Sequence, residues 1–178
     1  AAVARDVATK QNVAVKAGHG VGKSLLAAVL ICWWIDTRYP DCFVASTAPS
    51  TAQIGAIVWR EIHGIRTRVE KRHLEYRKLK EAGKSTEGYP DHILPGYITS
   101  DNIWKTEFGV PIGFGRKPPD QKTDDAFQGI HASAGVLAIG DEAVGLTEEM
   151  IDALGNITST KNSCRLIICN PTNPASYV

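Results

Sequence analysis

Val13-Ala14-Val15-Lys16-Ala17-Gly18-His19-Gly20-Val21-Gly22-Lys23-Ser24 decides how the chain folds. Apolar Val13, Ala14 and Val15 read as a strand over 13–16 that runs into a glycine-rich turn. Ser24 to Thr37 then has the mostly apolar body of a buried helix. Ala17 to Ser24 matches G-x-x-x-x-G-K-[ST], with Ala in place of the first glycine. Small residues let the backbone curl so that successive N–H groups converge on phosphate oxygens, and the following helix turns its positive end to the same anion. Gly18, His19, Gly20, Val21, Gly22, Lys23 and Ser24 are therefore the candidate phosphate cradle. Lys23 would reach the β- and γ-phosphates, and the Ser24 hydroxyl would bind Mg²⁺. A dinucleotide fingerprint fails, because Lys23 stands where G-x-G-x-x-G needs its third glycine. A fortuitous glycine-rich turn is the bland alternative, and the strand–loop–helix context weighs against it.

Working outward, Cys42 to Thr47 reads as a second strand, closed by Ala48-Pro49. Ser50 is a plausible N-cap. Ile54, Val58, Ile62, Ile65, Val69, Tyr76 and Leu79 then form an apolar stripe on a helix extending to Glu81, with Gly64 the place for a kink. Gly83 to Gly96 reads as a polar connection. Tyr97 to Phe114 reads as β-rich, with strands over 98–104 and 110–114, followed by a polar loop over 116–125. Gly135 to Gly140 is an apolar strand, Thr147 an N-cap followed by Glu148 and Glu149, and Arg165 to Cys169 the last strand. Strands alternating with helices predict an α/β domain with a mostly parallel central sheet, in one unit over 1–178. The chain ends nine residues past Cys169, as expected of a piece of a longer protein.

Val136-Leu137-Ala138-Ile139-Gly140-Asp141-Glu142 is an apolar strand that ends in two carboxylates. Beside a phosphate loop, Asp141 is suited to hold Mg²⁺ and Glu142 to orient and deprotonate an attacking water. A solvated strand end is the alternative. Ile167-Ile168-Cys169-Asn170 is another strand with a polar terminus. The Asn170 amide could sense a γ-phosphate, and Asn170-Pro171 reads equally well as a simple turn.

Bulk properties exclude several classes. Among 178 residues, 20 Lys+Arg against 19 Asp+Glu give a net charge of +1, so any basic surface is local. With 43% hydrophobic and 22% charged residues the chain is ordinary globular material rather than disordered. No apolar run approaches the ~18 residues of a membrane span, and no secretory signal opens the chain. Cys32, Cys42, Cys164 and Cys169 form no C-x-x-C pair and read as buried reduced thiols. Charge is nonetheless uneven. Residues 60–84 hold nine Lys/Arg and four Asp/Glu, a local +5, which leaves −4 for the rest. Arg66, Arg68, Lys71, Arg72, Arg77, Lys78 and Lys80 could touch DNA phosphates. A solvated helix face with ion pairs, such as Glu70 with its basic neighbours, is the simpler reading.

The phosphate loop, Ser46-Thr47-Ala48-Pro49-Ser50, Phe127-Gln128-Gly129-Ile130-His131-Ala132, Asp141-Glu142-Ala143 and Cys169-Asn170-Pro171-Thr172, in this order, resemble the ATPase domain of the phage terminase large subunit. The resemblance implies a three-layer P-loop NTPase domain of the RecA/ASCE type, using ATP and Mg²⁺. It implies an ATP-hydrolysing motor that drives double-stranded DNA into a capsid, assembled as a ring on a portal protein, with a small terminase subunit as partner and no membrane. It places the protein, as a phage or prophage product, in the cytoplasm of a bacterial host. Site roles carried over are nucleotide binding by Lys23 and Ser24, Mg²⁺ binding by Ser24 and Asp141, catalysis by Glu142 and Lys23, and coupling by Asn170. Family members mostly carry a further nuclease domain, which this chain does not contain, so no nuclease activity is expected of it. Two departures stand out. His19 occupies a loop position where many members have arginine, so an arginine from a neighbouring subunit, with Arg116 the candidate, is expected to serve. Gln11 lies too close to the first strand to be the usual adenine-binding glutamine. The rivals are the first motor lobe of a two-lobe helicase, which Asp141-Glu142-Ala143-Val144 also resembles, and a non-hydrolysing adaptor, against which Lys23 and Glu142 argue.

Overall fold

The computed structural model describes residues 2–18, 20–116 and 130–170. His19, most of the expected loop over 116–125, the Phe127-Gln128-Gly129 part of the quoted motif and Pro171-Thr172 lie outside the described residues.

Seven strands form one sheet: β1 (Asn12–Lys16), β2 (Cys42–Thr47), β3 (Tyr97–Ile98), β4 (Ile103–Lys105), β5 (Pro111–Gly115), β6 (Gly135–Gly140) and β7 (Cys164–Cys169). Their order is β1-β7-β6-β2-β5-β4-β3. The first five in that order are parallel, whereas β4 runs antiparallel to β5 and β3 to β4. The strand carrying the phosphate loop is thus separated from the strand carrying the carboxylates by one other, β7. All six residues of β6 are buried, as a central parallel strand covered on both faces requires. β1, at the edge, alternates between exposed and half-buried positions.

Helices cover both faces, giving three layers. On one side α2 (Lys23–Arg38) and α4 (Arg60–Glu81) pack against each other, and α2 also packs on β2 and β6. Val44, Leu137, Ile139, Leu166 and Ile168 face them, together with Trp34, Ile35 and Ile62. On the other side α5 (Glu148–Ile157) packs on β6, and Ala45, Ala138 and Ile167 join Met150, Leu154 and Ile157. Thr147 caps α5, its hydroxyl accepting from the Met150 N–H at 3.3 Å, as its place before Glu148-Glu149 predicts. The thiols are buried and free, and burial pushes Cys32 up to about 12 and Cys42 and Cys164 to about 11.

Three local readings change. A short helix α1 (Ala2–Thr9), with only Val7 buried, precedes β1 where the sequence suggested no element. The expected strand over 98–104 is two strands, because the chain turns between them. Asn102 sits at φ 56 and donates its N–H to Thr99 O at 3.1 Å. The helix after Ser50 is not kinked at Gly64, through which α4 runs without a break. Its irregularity comes earlier. A turn α3 (Thr51–Gln53) leads into a π-helical stretch, Ile54–Trp59, before α4. Ser50 does cap it: the Ser50 hydroxyl accepts from Gln53 N–H at 3.2 Å, and Gln53 Oε1 accepts from Ser50 N–H at 3.1 Å.

The connection over 83–96 is a strap along α4. Arg66 donates to the carbonyls of Pro95 (3.2 Å) and Gly96 and lies 5.6 Å from the Trp104 ring centroid. Arg72 donates to Gly88 O, and His73 Nδ1 lies 3.2 Å from Pro90 O. Leu94, within the strap, is buried.

Candidate active site at the carboxyl ends of the parallel strands

Ala17 after β1, Asn170 after β7, Asp141 and Glu142 after β6, Thr47 at the end of β2 and Arg116 after β5 line one edge of the sheet. This is where open α/β sheets bind ligands. Backbone bonds tie these ends together. Ala17 N–H donates to Cys169 O at 3.1 Å, Asp141 N–H to Thr47 O at 2.9 Å and Arg116 N–H to Ser46 O at 3.0 Å.

The phosphate loop has the conformation its glycines allow. Gly20 and Gly22 sit at φ 74 and 84, where L side chains are strained, and Gly22 caps α2 from that left-handed conformation. A Cβ at Gly18, Gly20 or Gly22 would meet nothing within 4 Å, so the space beside these glycines is open. Lys23 opens α2 and folds back. Its Nζ donates to Ala17 O (2.9 Å) and Gly18 O (3.0 Å), and the residue is 8% exposed. A buried ammonium whose hydrogen bonds, among the described residues, go to two neutral carbonyls is poised to exchange them for an anion.

Ser24 and Asp141 come together from elements more than a hundred residues apart. Asp141 is 4% exposed and its Oδ1 accepts from Glu142 N–H at 2.9 Å. Burial raises its carboxyl above the usual aspartate range. The Glu142 N–H opposes the rise, the Glu142 charge adds to it, and the Lys23 charge and a hydrogen bond from Ser24 oppose it. A desolvated carboxylate next to a hydroxyl, with one ammonium nearby, fits a hard divalent cation that takes one or two protein ligands and the rest from phosphate and water. Among the described residues there is no cluster of three or more His, Cys, Asp or Glu that could hold a metal without a phosphate partner.

Glu142 leaves β6 at φ 51, ψ 46 and starts a 3₁₀ turn, Ala143–Gly145, in which Gly145 N–H bonds Glu142 O at 3.0 Å. The left-handed step breaks the strand alternation, so two adjacent carboxylates need not point to opposite faces. Asn170, 6% exposed, sits between the loop strand and the acidic strand. The sheet therefore brings Lys23, Ser24, Asp141, Glu142 and Asn170 to one edge, with Gly18, Gly20, Val21 and Gly22 beside them.

Two other expected residues stand apart from the loop and β6. The Arg116 guanidinium lies 5.0 Å from its own Phe114 ring, two strands away from β6. Gln11 precedes β1 at the end away from the loop, and its Nε2 donates to Thr158 O at 3.0 Å. Sequence reading missed the part played by Thr47 and Ser46. The Thr47 carbonyl anchors Asp141, and the Ser46 hydroxyl accepts the Trp59 indole N–H at 2.9 Å. Ser46-Thr47 stood out at the end of a strand and in a quoted motif, but only strand order reveals that this strand adjoins β6.

No protein-family model and no curated protein matches the sequence. Solved structures do. A large terminase from the thermophilic bacteriophage D6E matches with a TM-score of 0.60 at 17% identity, over 93% of this chain and 35% of that one. The same terminase in complex with ADP matches with a TM-score of 0.55 at 18% identity, over 94% of this chain and 35% of that one. A further crystal form gives 0.56 at 15% identity, over 96% and 38%. This chain spans about a third of the length of those terminase chains. Over 93% of its length the chain shares its α/β fold, with a mostly parallel seven-stranded sheet, with the matching part of a phage large terminase.

Proposed function

We propose that the chain is the ATP-hydrolysing motor domain of a viral DNA-packaging terminase, converting ATP to ADP and phosphate to move double-stranded DNA. The observation that carries the reading is the meeting of Ser24 and Asp141 beside Lys23 at the mouth of the open glycine loop. The shared fold with a large terminase, once solved with ADP, supports it.

When bound, ATP and Mg²⁺ supply the reactive γ-phosphoryl group and a charge that offsets its oxygens. The loop N–H groups from Gly18 to Gly22 hold the phosphates. Lys23 Nζ leaves the carbonyls of Ala17 and Gly18 for β- and γ-phosphate oxygens. Ser24 Oγ and the Asp141 carboxylate would hold the cation. The Glu142 carboxylate orients a water and takes its proton, and the Asn170 amide reads the γ-phosphate by hydrogen bonding. His19 in the loop brings less charge than an arginine, so the reading assigns transition-state charge compensation to a neighbouring subunit in a ring, with Arg116 as its candidate group. Portal protein and a small terminase subunit are the partners this reading implies, in the cytoplasm of a bacterial host.

The test is steady-state hydrolysis with wild-type chain and Glu142→Gln. The reading expects phosphate release that falls at least about 100-fold in the variant, at unchanged nucleotide affinity. Equal rates for the two proteins would remove Glu142 from the chemistry and overturn the assignment.

A further inference from the structure

We infer that the outward ridge of α4 is a docking surface for the phosphodiester backbone of double-stranded DNA. The choice of duplex DNA rests on the motor reading above; the ridge itself rests on charge and geometry.

Two of the nine basic residues of this region are held by the strap, and three others line up along the outward side of α4. Arg66 and Arg72 are spent on the strap, donating to backbone carbonyls and lying against Trp104 and Tyr89. They are structural pins. Arg60, Lys71 and Lys78 are different. α4 is regular from Arg60 to Glu81, and at about 100° per residue these three side chains fall within about 20° of one another. Ile62, Ile65, Val69 and Tyr76 fall on the opposite side, toward the core and the strap. The three cations thus form a straight outward row about 27 Å long at 1.5 Å per residue, comparable to eight base-pair steps of duplex.

Among the described residues nothing holds this row firmly. Lys71 has no partner among the described residues. Lys78 meets Glu75 at 3.2 Å with the two side chains 61% and 55% exposed. Arg60 meets Glu61 at 3.6 Å, with its own side chain 73% exposed. Exposed pairs of this kind are weak and give way to a better anion. Glu70 is occupied by Arg66 at 3.1 Å and does not neutralise the row. Residues 60–84 carry +5 while the rest of the chain carries −4, so the positive field is concentrated here.

The chemistry of the face favours a nucleic-acid backbone over other anionic partners. A protein partner needs an apolar anchor at the centre of the contact, and a membrane needs apolar side chains flanking the cations. Leu74, 52% exposed, is the one large apolar side chain along the row among the described residues. Evenly oriented cations without a pocket fit a repeating phosphate chain, read without regard to sequence.

The experiment is fluorescence anisotropy of a labelled random-sequence 30-base-pair duplex between 50 and 200 mM NaCl, with wild-type chain and with Arg60→Gln/Lys71→Gln/Lys78→Gln. A second variant, Lys10→Gln/Lys161→Gln, removes cations from the opposite end of the sheet. The ridge variant is expected to bind at least about tenfold more weakly at 50 mM, with a log–log salt slope shallower by about 2–3, while the second variant behaves as wild type. ATP binding, measured on the same samples, stays at the wild-type value. Unchanged duplex affinity and slope in the ridge variant would overturn the inference and leave the nucleotide site standing. Wild-type binding to anionic lipid vesicles but not to duplex would overturn it as well. Ridge-dependent duplex binding by a chain that binds no ATP would instead overturn the motor reading and leave the surface.

Discussion

Trp59 donates its indole N–H to the Ser46 hydroxyl at 2.9 Å, and both residues are buried. The bond joins the last residue of the π-helical stretch to the end of β2, one residue before Thr47, whose carbonyl anchors Asp141. The root of the basic helix is therefore fastened to the strand beside the acidic pair. Gly115 makes room for it, since a Cβ there would come within 2.0 Å of Trp59 Nε1. Trp59→Phe removes the donor and strands a buried hydroxyl, which costs about 1–3 kcal/mol. Urea unfolding should show that loss, and a cycle with Ser46→Ala should show coupling of at least about 0.5 kcal/mol. Strictly additive effects would mean the bond contributes nothing to stability.

Thr47 presents the opposite case. Its Oγ1 is a buried side-chain oxygen with no hydrogen-bond partner among the described residues, and the residue is 2% exposed. An orphaned buried hydroxyl is a net cost, so Thr47→Val is expected to be neutral or to stabilise by up to about 2 kcal/mol. The check is the urea midpoint of the variant. A loss of more than about 1 kcal/mol would show that the hydroxyl has a partner in solution.

His92 couples the strap to α2 in a pH-dependent way. Its Nδ1 lies 2.9 Å from Asp91 Oδ1 and its Nε2 3.2 Å from Asp36 Oδ1. The hydrogen bond to Asp91, then that to Asp36, raises the imidazole above its ordinary 6.5. Asp91 is lowered from 3.8, chiefly by the His92 bond. A raised histidine contributes stability that is fully present below its unfolded pKa and is lost as pH rises through the folded one. The lowered aspartate contributes above its unfolded pKa and loses that contribution as pH falls through its folded value. Both are present near pH 5.5, and only the aspartate's own charge remains at pH 8.5. Because the His92 and Asp91 side chains are largely exposed, the effect is small. His92→Gln should lower Tm slightly at pH 5.5 and leave it unchanged at pH 8.5. An equal drop at both values would show that packing, not charge, is what His92 supplies.

Much of this architecture is legible in the residues. The phosphate loop, β6 with its two carboxylates and β7 with Asn170 declare themselves because apolar runs stop at chemically distinctive residues. The caps at Ser50 and Thr147 follow from local side-chain hydrogen bonding, which needs no tertiary context. What escaped depends on context. α1 buries little more than Val7 and has too short a stripe to announce itself. The turn between β3 and β4 hides in Ser100-Asp101-Asn102, polar turn residues set between β-forming neighbours. The π-helical stretch before α4 has no periodic signature, since one extra residue merely shifts the apolar stripe. Its reason is tertiary: it sets Trp59 against Ser46. Likewise no sequence rule separates Arg66 and Arg72, which serve the strap, from Lys71, which faces outward. Only the helix's placement against 83–96 does so.

The central claim is that Lys23 and the loop around it hold the phosphates of a nucleotide. Titration calorimetry with Mg²⁺ and ATP, on wild type, Lys23→Ala and Glu142→Gln, tests it most directly. Loss of a buried ammonium that makes charge-assisted bonds is worth about 1.5–3 kcal/mol, or roughly 10- to 150-fold in Kd. The account predicts that Lys23→Ala binds at least about tenfold more weakly, whereas Glu142→Gln binds as wild type. Wild-type affinity in Lys23→Ala would contradict it.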